Sequence, residues 1–246
     1  LTFAKLRASY GVNGSISNLG GYMYSSSLST GFMYHLNDQL YTGIFPTQYL
    51  ANPNLRWEES VQMDFGLDLR FLKDRLNFTA DYFNKDTDGL LVRSTANLTT
   101  GTSYVWQNVG LVNNHGFEFE LGWKDEITNK LQYSIRGNLA TISNIVSEYK
   151  GEGLRIEGAS ASHGDPLTFF EEGYPIWYIR GYVVDHIDAA NGQPVYKNFD
   201  DNPEITDADR TMLGSGIPKF TYGANISLSY ANFDLTAYGT GAYGNN

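Results

Sequence analysis

The 246-residue chain contains no cysteine, which excludes disulfides, thiolate metal sites and a cysteine nucleophile together. Cations are also scarce: 17 Lys and Arg against 27 Asp and Glu give a formal net charge of −10, with no basic patch to offset it. Such a surface repels a nucleic-acid backbone. No apolar run reaches the roughly 18 residues that a membrane-spanning helix needs, and mean hydropathy is −0.34. That exclusion does not extend to membrane β-barrels, where only alternate residues face lipid. The N-terminus has no Met start and no basic-then-apolar leader, opening directly in LTFAKLRASYGV, and the chain stops at AYGNN without a terminator. A piece of a longer chain is expected.

What the chain has in quantity is tyrosine (18), phenylalanine (14) and glycine (26), which suit strands and turns better than helices. Residues 57–72 read WEESVQMDFGLDLRFL. Trp57, Val61, Met63, Phe65, Leu67, Leu69 and Phe71 share the odd positions, and polar residues or Gly hold the even ones. Only Glu59 breaks the alternation. A side-chain period of two over such a length exceeds the usual strand of about 5 or 6 residues. Six further stretches alternate in the same way, beginning at Ala4, Leu76, Phe117, Leu131, Phe220 and Phe233.

The links between these seven stretches alternate in length. Residues 13–56, about 88–115 and about 147–219 form long connections, whereas KD, KDEITNK and AN form short ones. One end of the sheet therefore carries tight turns and the other large loops, as in outer-membrane barrels. Aromatics bracket an aliphatic centre, as where Phe220, Tyr222 and Tyr230 flank Ala224, Ile226 and Leu228. Trp57 and Phe71 bracket 57–72, and Trp123, Tyr133 and Phe233 fall near the short turns. Rings at both interfaces form the aromatic girdle of a barrel. The expected fold is all-β, an antiparallel transmembrane β-barrel segment of about seven strands over residues 1–246, with long extracellular loops. An odd number of strands with two open edges cannot close, so the rest of the wall lies outside this sequence.

On the hydrated face, Arg7, Glu58, Asp64, Asp68, Arg70, Glu118, Glu120 and Arg136 are expected to line the lumen, with Lys5 among the counter-ions. The same carboxylates could in principle serve a glycosidase, which needs two of them flanking a bond. Charge lining a water-filled wall is the simpler reading, so no catalytic residue is assigned. Asp200, Asn202 and Glu204 have the spacing of a calcium loop, but Ile205 replaces the required Gly and Thr211 the closing Glu. A solvated acidic loop is expected there. The four His have no zinc-motif spacing, and Ser162-His163-Gly164-Asp165 reads as a loop turn. No metal and no cofactor is assigned.

The long loops are rich in rings, and Tyr41, Phe45, Tyr104, Trp106, Phe169, Phe170, Tyr174, Trp177 and Tyr178 are candidates for substrate or partner contact. Aromatic faces stack on sugars and anchor interfaces, although they also pack loops against one another. A carbohydrate-binding β-sandwich, soluble or surface-tethered, is the alternative that these loops motivate.

Six segments resemble the SusC/RagA family of TonB-dependent outer-membrane transporters: LRASYGVNG (6–14), NPNLRWEES (52–60), DRLNFTADYFNKDTDGLL (74–91), NVGLVNNHGFEFEL (108–121), EGYPIWYIRGYV (172–183) and residues 205–244 from ITDADRTMLG to the end of TAYGTGAYG. The resemblance covers most of the chain in the family's order. Two departures stand out, FDDNPE before ITDADR and Ile176-Trp177-Tyr178 after EGYP. The resemblance implies a 22-stranded barrel with an N-terminal plug, neither complete here, energised by a TonB complex. It also implies a SusD-like surface lipoprotein as partner and oligosaccharide or peptide as cargo.

Overall fold

The computed structural model describes residues 1–245 apart from 18, 19, 26, 47, 48, 129, 152–154, 161–163 and 201. Seven long strands form one antiparallel wall, each paired with the next in chain order. They are β1 (Phe3–Ser15), β2 (Glu58–Phe71), β3 (Leu76–Asp88), β4 (Gly110–Thr128), β5 (Leu131–Thr141), β6 (Phe220–Tyr230) and β7 (Phe233–Tyr243). All seven alternating stretches are thus strands of one sheet.

The register keeps the two faces apart across the whole wall. One cross-strand row runs Leu6, Leu67, Ala80, Phe119, Leu139, Tyr222, Gly241, and the adjacent row on the other face runs Arg7, Gly66, Asp81, Glu118, Ala140, Thr221, Ala242. A slip of one residue would exchange the faces, so the pattern itself pins the pairing. Among the described residues no second sheet covers the apolar face: Leu6 is 83% exposed, Leu235 64% and Ile226 50%. This rules out the sandwich, whose inner faces would be buried. β1 and β7 each have one paired edge only among the described residues, so the wall is an open barrel segment.

The short links join Phe71 to Leu76, Thr128 to Leu131 and Tyr230 to Phe233. The second is shorter than the KDEITNK link suggests. β4 keeps pairing through Thr128, with Asp125 joined to Arg75 at 3.2 Å, because backbone ladders persist beyond the point where the side chains turn polar. Trp57 precedes its strand rather than belonging to it. Glu59, the exception in the alternation, pairs with Gly14 and Asp88 at the long-loop end of the wall, beside the Arg56–Asp88 ion pair, where a charge is hydrated.

The long connections carry their own strands. Leu28–Leu36 and Gln39–Pro46 form a hairpin, as do Leu91–Thr95 and Tyr104–Asn108. Ser143–Tyr149 continues the wall along the top of β4. Arg155–Glu157, Thr168–Glu171, Tyr178–Gly181 and Thr211–Gly214 form a four-stranded loop sheet. The buried core sits where these connections meet the loop end of β4: Val112, Val146 and Phe170 are enclosed, with Leu90, Tyr149, Ile156 and Ile176 packed around them. Val112 lies on the same face of β4 as Glu118 and Glu120, so the loop sheet packs over the polar face of the wall. Gly116 lets the end of β5 approach β4 closely, since a Cβ there would collide with the Thr141 carbonyl.

Candidate functional site

The polar face of β1 to β3 is knitted by one arginine. Arg7 Nε donates to Asp68 at 2.9 Å, and its terminal nitrogen donates to Asp68 at 3.1 Å and Asp81 at 3.0 Å. Arg7 opposes Gly66, which opposes Asp81, so the guanidinium crosses the glycine to reach the third strand. A Cβ on Gly66 would lie 2.6 Å from Arg7 Cζ. Only a residue without a side chain leaves this path open. Thr79 Oγ1 adds a bond to Asp68 at 3.3 Å, and Asp64 accepts from Ser9 at 2.8 Å and Gln62 at 2.9 Å.

The other expected lumen charges fall in four places. Glu120 pairs loosely with Arg136 at 3.5 Å, both well exposed. Arg70 lies over the Phe3 ring, 5.0 Å from its centroid. Glu118 shares the row of Arg7 and Asp81. Glu58 lies at the loop end of β2, where its carboxylate accepts from Leu91 N at 2.9 Å and fixes the root of the second loop. Asp81, Thr79 and Gly66 belong to the site and were legible as polar-face positions of their strands, but nothing local marks them as Arg7's neighbours.

At the loop end of the polar face, the loop sheet divides the candidate rings. Phe170 is buried in the core, and Phe169 and Tyr178 are buried on the opposite side of the sheet. These three pack the loop and offer no free face, a correction to their expected contact role. The cause is pairing: Phe169 opposes Tyr178, and the Arg155 and Arg180 guanidinium groups lie 5.0 and 5.9 Å from the Phe169 centroid, closing that side. Tyr174, stacked on Tyr178 at 4.5 Å, and Trp177, 5.8 Å from Phe170, remain part-exposed. Tyr41, stacked on Tyr34 at 5.8 Å, and Phe45 stand out on the first hairpin. Tyr104 lies under Arg93 and edge-on to Trp106.

A short turn at 206–210 clamps the loop sheet. Arg155 and Arg180 reach Asp207 at 3.1 Å each, and Asp209, fully buried, accepts from Thr206 N at 2.8 Å and Phe199 N at 2.7 Å. Burial pushes the Asp207 carboxyl up, but Arg180 and then Arg155 outweigh it and hold it below the usual range. The backbone donors of Thr206 and Phe199 lower Asp209 in the same way. Burial, reinforced by the hydrogen bond to Glu171, raises the Tyr178 hydroxyl. Asn198, Asp200 and Asn202 each accept a bond from the backbone two residues on, so the acidic run is a series of Asx turns. Ser162 and His163 lie outside the described residues.

The family model for the TonB dependent receptor-like β-barrel matches residues 2–246. The chain belongs to that family. TonB-dependent receptor P3 of Formosa agariphila is 30% identical over 97% of this chain and 25% of its own length. TonB-dependent receptor SusC of Bacteroides thetaiotaomicron is 25% identical over 96% of this chain and 24% of its own. Among solved structures, the RagAB peptide importer in its open-open state superposes with a TM-score of 0.79 at 21% identity, over 98% of this chain and 26% of that one. The chain therefore spans about a quarter of the relatives it matches.

As part of a TonB-dependent receptor barrel in the outer membrane, the apolar face meets lipid. From the first to the last of the 11 residues of β6, steps of about 3.3 Å at a tilt of roughly 40° climb ~25 Å, the height of a barrel's apolar band. Trp123 Nε1 donates to the Tyr133 hydroxyl at 3.0 Å near the short turns, and Tyr82 and Phe117 stand 5.1 Å apart towards the loops. Those rings mark the two interfaces of the TonB-dependent receptor wall.

Proposed function

We propose that this barrel wall belongs to an importer that takes oligosaccharides or peptides through its lumen without breaking a bond. It is energised by a TonB complex acting on a plug that this sequence does not include, and it works with a SusD-like surface lipoprotein. The observation that carries the reading is the asymmetry of the wall. A continuous hydrogen-bonded polar face around Arg7, Asp68 and Asp81 lines one side, bare apolar rows line the other, and the loop sheet of the third connection packs over the polar side. Part-exposed Tyr174 and Trp177, with Tyr41, Phe45, Tyr104 and Trp106, are the rings proposed to meet cargo or lipoprotein. Homology to SusC, and a fold shared with a peptide importer, support the transport class.

The test is uptake. Cells carrying or lacking the full-length protein, each with and without TonB, are given labelled oligosaccharide mixtures or labelled peptide mixtures. Uptake of one class that requires both proteins, with cargo recovered intact, supports the reading. Equal uptake in cells lacking the protein, or hydrolysis by the purified protein, refutes it.

A further inference from the structure

The apolar face is not uniform. On the outer side of β1 to β4, Ala8 and Ala80 stand among rings, and a groove of about 570 Å³ opens over them, walled by Phe65, Tyr82, Phe117 and Phe119. The rings interlock: Tyr82 and Phe117 lie 5.1 Å apart, and Phe117 stacks on Phe119 at 6.1 Å with planes 10° apart. In the membrane, such a furrow is filled by hydrocarbon, because water gains nothing from apolar walls.

Two residues further along the same face towards the loops, the chemistry changes abruptly. Asn84 and Asp86 follow Tyr82 on β3, and His115 and Asn113 precede Phe117 on β4. Asn113 Nδ2 donates to Asn84 Oδ1 at 2.8 Å and to Asp86 Oδ1 at 2.6 Å, and His115 Nδ1 lies 2.7 Å from Asn113 Oδ1. The four side chains are part-exposed, and no hydrogen bond to a described residue uses Asn84 Nδ2, Asp86 Oδ2 or His115 Nε2. Bonding capacity thus remains at the height where lipid headgroups begin.

We propose that groove and cluster form one binding site for a sugar-headed lipid of the outer leaflet. An acyl chain occupies the furrow over Ala8 and Ala80, and the sugar hydroxyls bond to Asn84, Asp86 and His115. Continuity with the lipid-facing band fixes the occupant as lipid rather than protein. The charge fixes the headgroup: Asp86 and Asp88 lie on this side, Arg56 is engaged with Asp88 at 2.9 Å, and Lys85 projects to the opposite face by alternation. Phosphate finds no free cation among these residues, whereas hydroxyls match carboxylate, amide and imidazole. The site rests on the barrel's place in the outer membrane and not on any cargo.

The experiment is native mass spectrometry of the full-length protein in detergent containing equal amounts of phosphatidylethanolamine and glucosyl diacylglycerol. The protein should retain the glycolipid over the phospholipid by about tenfold, equivalent to ~1.4 kcal/mol. Ala80→Trp, which fills the furrow, and Asn113→Leu, which breaks the cluster, should each bring the ratio close to unity. Ala224→Trp, on the same face of distant β6, should leave it unchanged. Heat-modifiable mobility on gels confirms that each variant is folded, and Ala8→Leu replaces Ala80→Trp if the latter is not. A ratio near unity or a preference for phospholipid in the unmodified protein overturns the proposal. So does an intact ratio in Asn113→Leu, or an equal loss in Ala224→Trp.

Discussion

Arginine placed at two adjacent positions of β6 separates lipid from lumen. Ile226 is 50% exposed and flanked by Ile135 and Ala237 on the bare face, and Asn225 lies between Arg136 and Tyr238 on the polar one. Ile226 stands four residues from Tyr230, the last residue before the turn, so at about 3.3 Å per residue and a tilt of roughly 40° it sits ~10 Å up a band of ~25 Å. That is close to the midplane, where arginine costs about 2–4 kcal/mol, against about 0–1 kcal/mol at an interface. Ile226→Arg should therefore destabilise the full-length barrel by ~3 kcal/mol, and Phe233→Arg, at the turn, by less than ~1 kcal/mol. Asn225→Arg should stay within about 0.5 kcal/mol, as for ordinary hydrated positions. The assay is guanidinium unfolding from phospholipid vesicles followed by tryptophan fluorescence, with midpoints compared at constant slope. If Asn225→Arg costs as much as Ile226→Arg, or if Ile226 and Phe233 respond alike, the two-faced wall is wrong.

Gly66→Ala should lower the unfolding midpoint by displacing Arg7, and the loss should shrink in the Arg7→Ala background; additive losses would show that the crossing guanidinium is not the cause. Ala231 holds φ 53°, a left-handed conformation that glycine adopts freely, so Ala231→Gly should raise stability by about 0.5–1 kcal/mol in the same titration. Because the Tyr178 pKa is raised, the neutral hydroxyl stabilises the loop sheet fully below the ordinary tyrosine pKa, and that contribution is lost as pH rises through the folded value. Limited proteolysis should show the sheet opening in alkali, with the pH dependence weakened in Tyr178→Phe. At the acid end the sign reverses. Asp207 and Asp209 are depressed, so their contribution is present above the ordinary carboxylate pKa and fades as pH falls through their folded values. Asp209→Ala should make the segment around 199–210 susceptible to protease already at neutral pH.

The alternation of polar and apolar residues by itself determined the seven wall strands, the identity of each face and the unclosed edge. Side-chain direction in a strand is a local property with a period of two, readable without knowing any partner. The lengths of the links likewise told which rim carries the loops. Tertiary structure alone decided that Arg7 meets Asp68, 61 residues away, by way of Gly66, and that Phe169, Phe170 and Tyr178 are loop core while Tyr174 and Trp177 stay accessible. Those outcomes depend on register and on how one sheet leans over another. A glycine beneath a guanidinium, or a ring under a neighbouring strand, has no signature in its own stretch of sequence, because the atoms that define its role arrive from distant parts of the chain.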